Sequence, residues 1–292
     1  MAFHAQRARK ASEDKCSLPK VTMIIVLIVF ILYGISLVFP LLWAAINSFR
    51  TRLDFAKYPM DWFNFGKWTL DNYAKAFSEY NLFSMFLNSF ILAVGGTAGS
   101  TIACAMSAYV VSKFDFKGRN FIYGLAITIM LIPTSGSLAA QYKFMFESGL
   151  ANNHLGIVLM YSGGFGFNFF LLYGFFKSLS WTYAEAAQID GAGNFQIFVR
   201  IMLPQAKPSL FAVGIISFIG FWNDYFTPYM YLREFPTLAV GIYQLQQEMS
   251  SRGSNWPVVF SAMVLSSVPV IVIFAVFQKT IIANTVAGGL KG

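Results

Sequence analysis

The residues whose types and spacing could do chemistry are few in this chain, and the clearest set lies in a polar insert between two strongly apolar segments. The insert contains, in order, Glu185-Ala186-Ala187, Asp190-Gly191 and Ile201-Met202-Leu203-Pro204. The Glu185 carboxylate can accept hydrogen bonds from basic or backbone groups. The small side chains of Ala186 and Ala187 would let the segment seat deeply in a cleft. The predicted chemistry is therefore noncovalent recognition of a partner.

Local signals in the insert predict two short helices joined by a glycine turn. Thr182 and Glu185 have capping-box spacing, so the first helix is expected to begin there. The sequence Asp190-Gly191-Ala192-Gly193 breaks this helix, and Asn194 is expected to cap the second one. An apolar stripe on the second helix is predicted from Phe195, Phe198, Val199 and Met202. The alternative is a surface hairpin that packs only on its own membrane domain.

A second candidate is Asp224, which lies within an apolar run. An ionisable side chain inside a membrane span is costly and usually faces the bundle interior or a wet cavity. Its neighbours Trp222, Asn223 and Tyr225 supply hydrogen-bonding groups and aromatic surface on which a sugar could stack, and Asn168 lies on another surface that could be wet. The alternative is a structural hydrogen-bond acceptor near an aromatic belt at the outer interface.

The chain offers no recognisable catalytic or metal-ligating set. Its loops contain no Ser/His, Cys/His or clustered carboxylate arrangement. His4 and His154 have no neighbours at metal-ligand spacing. No glycine-rich phosphate loop ends in Gly-Lys-Ser/Thr, so the chain is not expected to hydrolyse ATP. These absences predict a non-catalytic protein with no metal and no cofactor of its own.

Composition places the chain in a membrane, because 57% hydrophobic and only 12% charged residues would expose too much apolar surface in water. Lipid offers no partners for backbone groups, and continuous apolar runs favour helices over barrel strands. Six runs are long enough to cross a hydrocarbon core of about 30 Å. They are 21–46, 85–111, 121–140, 156–176, 210–232 and 258–282. The predicted fold class is all-α, a polytopic membrane protein with six transmembrane helices.

Basic residues near the spans predict the orientation. Five precede the first run, and Lys113, Lys117 and Arg119 crowd the connection after the second, so both segments are expected to be cytoplasmic. With six spans, both termini and the Glu185 insert fall on that side. The segment 47–84 is expected to be external although it carries five basic residues. The net charge of +8 is thus interpreted as a signal of membrane orientation, with no nucleic-acid partner.

The insert resembles the cytoplasmic coupling loop of ABC importer membrane subunits. The matching pattern is Glu-Ala-Ala, three residues, Gly, nine residues, Ile, one residue and Leu-Pro. The stretches 222–226, 237–241 and 287–292 look like the carbohydrate-importing branch of that family. Similarity to the second membrane subunit of maltose-type sugar importers covers residues 20–292.

This resemblance implies a fold, a set of contacts and partners. The fold would be that of an ABC type I importer permease, with a cytoplasmic leader (1–20), a six-helix transmembrane domain (21–283) that includes the coupling loop 178–208, and a cytoplasmic tail (284–292). The residues implied to contact the ATPase are Glu185, Ala186, Ala187, Asp190, Gly191, Ile201, Leu203 and Pro204 in the loop, with Gly288, Gly289 and Lys291 in the tail.

The implied partners are a second related permease, two ATPase subunits that bind ATP and Mg²⁺, and an external sugar-binding protein. The implied location is a bacterial cytoplasmic (inner) membrane, in contact with lipid. The expected function is import of a sugar or oligosaccharide by alternating access. A polyol or glycerol-phosphate-like cargo is an alternative. An ion-coupled secondary transporter is a weaker one, because Asp224 has no paired Lys or Arg at similar depth.

Overall fold

The chain is helical in the computed structural model, which describes residues 20–60, 68–132, 134–252 and 255–289. Outside the helices, an isolated antiparallel bridge joins Arg50 and Trp68. The all-α prediction is therefore confirmed for these residues.

The helices follow one another along the chain with short connections. They are α1 (Lys20–Ser48), α2 (Arg52–Lys57), α3 (Asp71–Ser78), α4 (Leu82–Lys113), α5 (Arg119–Leu131), α6 (Leu138–Glu147), α7 (His154–Tyr161), α8 (Phe167–Ser178), α9 (Thr182–Ile189), α10 (Asn194–Ile197), α11 (Leu203–Gln205), α12 (Lys207–Asn223), α13 (Phe226–Tyr231), α14 (Leu238–Arg252) and α15 (Trp256–Gly289). A 3₁₀ turn (Thr134–Ser137) precedes α6, and a π-helical turn (Phe198–Met202) joins α10 to α11.

Three helices in the described ranges, α1, α4 and α15, are long and apolar enough to cross a membrane. A fourth span results if α10–α11 and α12, bent by 79°, are counted together. The prediction of one continuous helix per apolar run is thus met by the first, second and sixth runs. The other three runs are each divided between two helices, so helix length alone does not show six spans.

The break in the fourth run illustrates why helices stop inside apolar sequence. Between α7 and α8, Gly166 adopts φ 129°, a conformation that favours glycine. The freed carbonyl groups are taken up by α4, where Ser107 Oγ donates to Gly164 O at 2.7 Å and Cys104 Sγ donates to Gly163 O at 3.5 Å. Backbone groups released by the break are therefore satisfied inside the protein.

Helix α4 packs closely against α7 because it presents glycines there. A methyl group added to Gly96 would lie 2.7 Å from Tyr161 Cδ2, and one added to Gly95 would lie 2.9 Å from Val158 Cγ2. Small residues at such positions let two helix backbones approach within van der Waals contact. The same helix also packs on α8 and α12, so it forms the centre of the bundle.

A buried polar network closes the end of α1. Arg50 and Asp54 are 1% and 5% exposed, and Arg50 Nε donates to Asp54 Oδ2 at 2.8 Å. The Asn72 amide of α3 donates to the carbonyl oxygens of Ser48 and Arg50, each at 2.8 Å. Ser261 of α15 in turn donates to Asn72 O at 3.2 Å. One of the five basic residues in segment 47–84 is thus neutralised inside the fold.

Candidate functional site

The first helix of the polar insert, α9, begins without the predicted capping box. Trp181 is the N-cap residue and is already in the right-handed helical region, with φ −73° and ψ −18°. The Glu185 amide bonds to Trp181 O at 3.1 Å, so it needs no side-chain cap. The Thr182 hydroxyl instead lies within hydrogen-bond distance of Ser180 Oγ. The prediction was wrong because the helix starts one residue earlier than the spacing indicated.

The turn after α9 is built around Gly191, as the sequence predicted. Gly191 adopts φ 81°, its amide donates to Gln188 O at 3.0 Å, and the next amide, of Ala192, donates to Ala187 O at 2.9 Å. These two bonds define a Schellman motif, which satisfies helix-terminal carbonyl groups and requires a left-handed residue. The turn direction, and with it the angle between α9 and α10, therefore depends on glycine at this position.

The second helix of the insert, α10, also starts differently from the prediction. Gly193 is the N-cap residue, and its amide donates to Gln196 Oε1 at 3.3 Å. Asn194 is the first helical residue and its side chain makes no capping bond. The cap is supplied from inside the helix because the Gln196 side chain reaches back over the first turn.

The predicted apolar stripe on the second helix is only partly correct. Phe198 and Met202 are buried, together with Ile197, whereas Phe195 and Val199 are exposed. The π-helical turn at Phe198–Met202 changes the angular spacing of the residues, so apolar residues chosen by α-helical periodicity do not share a face.

The buried half of the insert is attached to the membrane helices through aromatic rings. The Phe198 ring lies 4.8 Å from the Tyr109 ring of α4, and the Tyr109 ring lies 5.6 Å from the Phe176 ring of α8. The Lys113 ammonium at the end of α4 donates to Leu179 O at 2.5 Å. A displacement of the insert is therefore expected to move α4 and α8.

The exposed half of the insert forms a continuous surface on α9 and α10. Glu185, Ala186 and Asp190 are exposed there, as are the large apolar side chains of Ile189 (87%) and Phe195 (71%). Gly191 and Pro204 are also exposed, whereas Ala187, Ile201 and Leu203 are partly buried. We call Tyr183, Glu185, Ala186, Ile189, Asp190 and Phe195 the docking surface.

Sequence reasoning missed two large members of the docking surface, Tyr183 and Ile189. Both are exposed, and they flank Ala186 at three-residue spacing. Residues three apart lie on one face of a helix. The period-three pattern Tyr183, Ala186 and Ile189 within a polar segment was the signal that could have identified them.

Asp224 lies at the break between α12 and α13 and is held by two donors. The Tyr161 hydroxyl of α7 donates to Asp224 Oδ2 at 2.8 Å, and the Thr227 amide donates to Oδ1 at 3.1 Å. The Tyr161 ring stacks on the Phe221 ring at 4.1 Å. These groups border a cavity of about 420 Å³ between α4, α7, α8 and α12.

Asn168 lines the same cavity from α8. Its Nδ2 donates to Ser217 Oγ of α12 at 2.9 Å. Its Oδ1 is buried and has no hydrogen-bond partner among the described residues. Asp224 and Asn168 are therefore brought together around one cavity, although the chain separates them by two helices.

The other three predicted substrate-path residues lie elsewhere. Trp222 is 2% exposed, and its Nε1 donates to Ser266 O of α15 at 3.1 Å, which is a packing role. Asn223 donates to Ile219 O within its own helix at 2.8 Å. Tyr225 is exposed and stacks on Tyr243 of α14 at 5.3 Å. Sequence proximity to Asp224 therefore did not place these side chains in the cavity.

The tail residues are only partly described. Gly288 and Gly289 are the last residues of α15, and Lys291 lies outside the described residues, as does His4 in the leader. Within the part of the chain that the structure describes, no group of three or more His, Cys, Asp or Glu side chains could hold a metal ion.

Comparison with known proteins identifies the family. The profile of the binding-protein-dependent transport system inner membrane component family matches residues 95–285. The chain is 31% identical over 272 residues to the diacetylchitobiose uptake system permease protein NgcG of Streptomyces coelicolor, covering 89% of this chain and 86% of that one. It is 31% identical over 271 residues to the galactooligosaccharides transport system permease protein GanQ of Bacillus subtilis, covering 89% and 92%.

A maltodextrin transport system permease protein of Bacillus subtilis, MdxG, is 30% identical over 265 residues, covering 89% of this chain and 93% of its own. The fold matches a chain of a bacterial ABC transporter involved in the import of the acidic polysaccharide alginate, with a TM-score of 0.75, 22% identity and coverage of 89% and 96%. The chain therefore belongs to the family of binding-protein-dependent transport system inner membrane components, the non-catalytic permease subunits of ABC importers.

Proposed function

We propose that this chain is the permease subunit of an ATP-driven importer that moves a sugar or oligosaccharide across the bacterial cytoplasmic membrane by alternating access. The observation that carries the proposal is the docking surface, an exposed apolar and acidic face attached to the membrane helices through Tyr109, Phe176 and Phe198. Relatives named for diacetylchitobiose, galactooligosaccharides and maltodextrin support a carbohydrate cargo.

Six membrane passes with both termini cytoplasmic fit the fold. The continuous passes are α1, α4 and α15, and the broken ones are α5–α6, α7–α8 and α12–α13. Irregular backbone at membrane depth is tolerated where protein or a wet cavity surrounds it. The breaks after Tyr161 and at Asp224 meet this condition, because both border the cavity. Residues 178–208 then form the cytoplasmic coupling loop within a permease domain spanning 21–283, with 1–20 and 284–292 as cytoplasmic ends.

The docking surface would seat in a cleft of an ATPase subunit that binds ATP and Mg²⁺. The importer would contain two such subunits, a second related permease and an external sugar-binding protein. Closure of the ATPases would pull on α9, and the aromatic contacts of Phe198 would transmit the movement to α4 and α8. Nucleotide and cargo would each bias an equilibrium between inward-open and outward-open states. Gly288, Gly289 and Lys291 would provide a second ATPase contact.

A substitution on the docking surface tests the proposal. Ala186 is exposed on α9, so Ala186→Trp should leave the fold intact while blocking entry of the helix into a cleft. We expect the variant to assemble in the membrane but to lose sugar-stimulated ATP hydrolysis and uptake in proteoliposomes. The matched control is Ser250→Trp, on an exposed face of α14. Unchanged coupling in Ala186→Trp, or repeated purification of the native chain without any ATPase, would contradict the proposal.

A further inference from the structure

We propose that the cavity between α4, α7, α8 and α12 binds a neutral sugar ring and that the Asp224 carboxylate keeps anionic sugars out of it. This inference rests on the proposed function, because it assumes that carbohydrate passes through this permease. It adds a site within this subunit and the charge of the cargo, which family membership does not specify.

The cavity has the size and the wall that a sugar ring needs. Its volume of about 420 Å³ lies within the range of small-molecule sites. Tyr161 and Phe221 are stacked at 4.1 Å and line one side, and Phe165 and Phe167 line the region where α8 begins. Aromatic faces pack well on the C–H face of a pyranose ring because both surfaces are flat and apolar.

The polar groups of the cavity are arranged for hydroxyl groups. Asn168 Oδ1 is buried in the cavity wall without a partner among the described residues, although the amide is fixed by its bond to Ser217. An unsatisfied buried acceptor is costly, and a ligand hydroxyl that donates to it would remove that cost. Ser100 and Ser217 add hydroxyl groups that can donate or accept.

The charge of the cavity is negative and uncompensated. Asp224 lines it, and no Lys, Arg or His is among the described residues that do so. Both carboxylate oxygens accept a hydrogen bond, from the Tyr161 hydroxyl and the Thr227 amide, which are neutral donors. A carboxylate or sulfonate on the ligand would therefore meet a like charge in a medium of low dielectric constant. A site for anionic sugars would instead carry Arg or Lys.

The structural role of Asp224 can be separated from its charge. The bond from the Thr227 amide at the start of α13 needs one acceptor oxygen, which asparagine also provides. The Tyr161 hydroxyl can accept a hydrogen bond from an amide in the same position. Asp224→Asn therefore keeps the shape of the break and removes the charge alone.

The test is a cysteine-protection assay on the assembled importer, without the external binding protein so that its own selectivity does not contribute. Cys16 and Cys104 are replaced by serine and alanine, and Phe167→Cys is introduced at the cavity, where the native side chain is exposed. Ile216→Cys, on the opposite wall, is a second reporter. Ser250→Cys on α14 is the control. The rate of N-ethylmaleimide labelling is measured with neutral probes (maltotriose, diacetylchitobiose and galactobiose) and with digalacturonate.

We expect at least one neutral probe to slow labelling of both cavity cysteines but not of Ser250→Cys. Digalacturonate should bind about tenfold more weakly than galactobiose, equivalent to about 1.4 kcal/mol, and Asp224→Asn should reduce this difference. Equal protection by digalacturonate, no protection by any probe, or a difference that survives Asp224→Asn would overturn the inference. ATP-dependent sugar uptake, measured separately with the binding protein present, would still support the proposed function in each of those cases.

Discussion

The Tyr161 hydroxyl donates a 2.8 Å hydrogen bond to Asp224 Oδ2 and thereby joins two helix breaks that lie 63 residues apart in the chain. One break separates α7 from α8 and the other separates α12 from α13. A bond between two irregular segments fixes the shape of the cavity between them, which neither segment could do alone.

Removal of this bond should loosen the cavity. Tyr161→Phe deletes the donor to a carboxylate, and hydrogen bonds to charged groups contribute about 1.5–3 kcal/mol. We expect a lower thermal unfolding temperature of the purified importer and reduced sugar uptake. Tyr33→Phe, on the exposed surface of α1, removes a hydroxyl outside the cavity and should change neither. Equal effects of the two substitutions would show that the Tyr161–Asp224 bond has no special role.

The glycine turn of the insert offers a matched pair of substitutions. Gly191 has φ 81°, whereas Gly193, two residues later, has φ −74°, and neither has a neighbour within 4 Å of an added methyl group. Gly191→Ala should therefore cost about 1–2 kcal/mol of local backbone strain and misdirect α10, while Gly193→Ala should be nearly neutral. Sugar-stimulated ATP hydrolysis should fall in the first variant only. If both variants retained full coupling, the turn geometry would not matter for docking.

The apolar part of the docking surface should contribute directly to ATPase binding. Ile189 is 87% exposed, so Ile189→Lys should leave the permease folded. We expect at least a tenfold loss of ATPase co-purification, because loss of an interface anchor often costs about 2 kcal/mol or more. Leu53→Lys, at an 82% exposed site on α2, is the control. Retention of the ATPase by Ile189→Lys would place the contact elsewhere on the insert.

The buried ion pair at the end of α1 should be important for stability when only one partner is removed. Arg50→Ala leaves Asp54 buried with an uncompensated charge, which typically costs about 3–5 kcal/mol. Thermal unfolding of the purified chain should show a large destabilisation, whereas Arg52→Ala, at an exposed site, should have a small effect. The double variant Arg50→Met/Asp54→Leu should recover much of the loss. A double variant as unstable as Arg50→Ala would contradict this account.

Several properties of this protein were determined by the sequence itself, because they depend on composition or on residues close together in the chain. The apolar composition determined the membrane class, and continuous apolar runs determined helices. Gly191 determined the turn of the insert, since a left-handed residue is required there whatever surrounds it. The spacing from Glu185 to Pro204 indicated the family that the comparisons then identified.

Only the tertiary structure decided which apolar runs are broken and which side chains share a site. The helix starts at Trp181 and Gly193 depend on local hydrogen bonds that compete with the capping residues predicted from spacing. The partners of Asp224 and Asn168 are Tyr161 and Ser217, from helices distant in sequence. No local pattern encodes such pairs, because they form only when α4, α7, α8 and α12 pack around a common cavity.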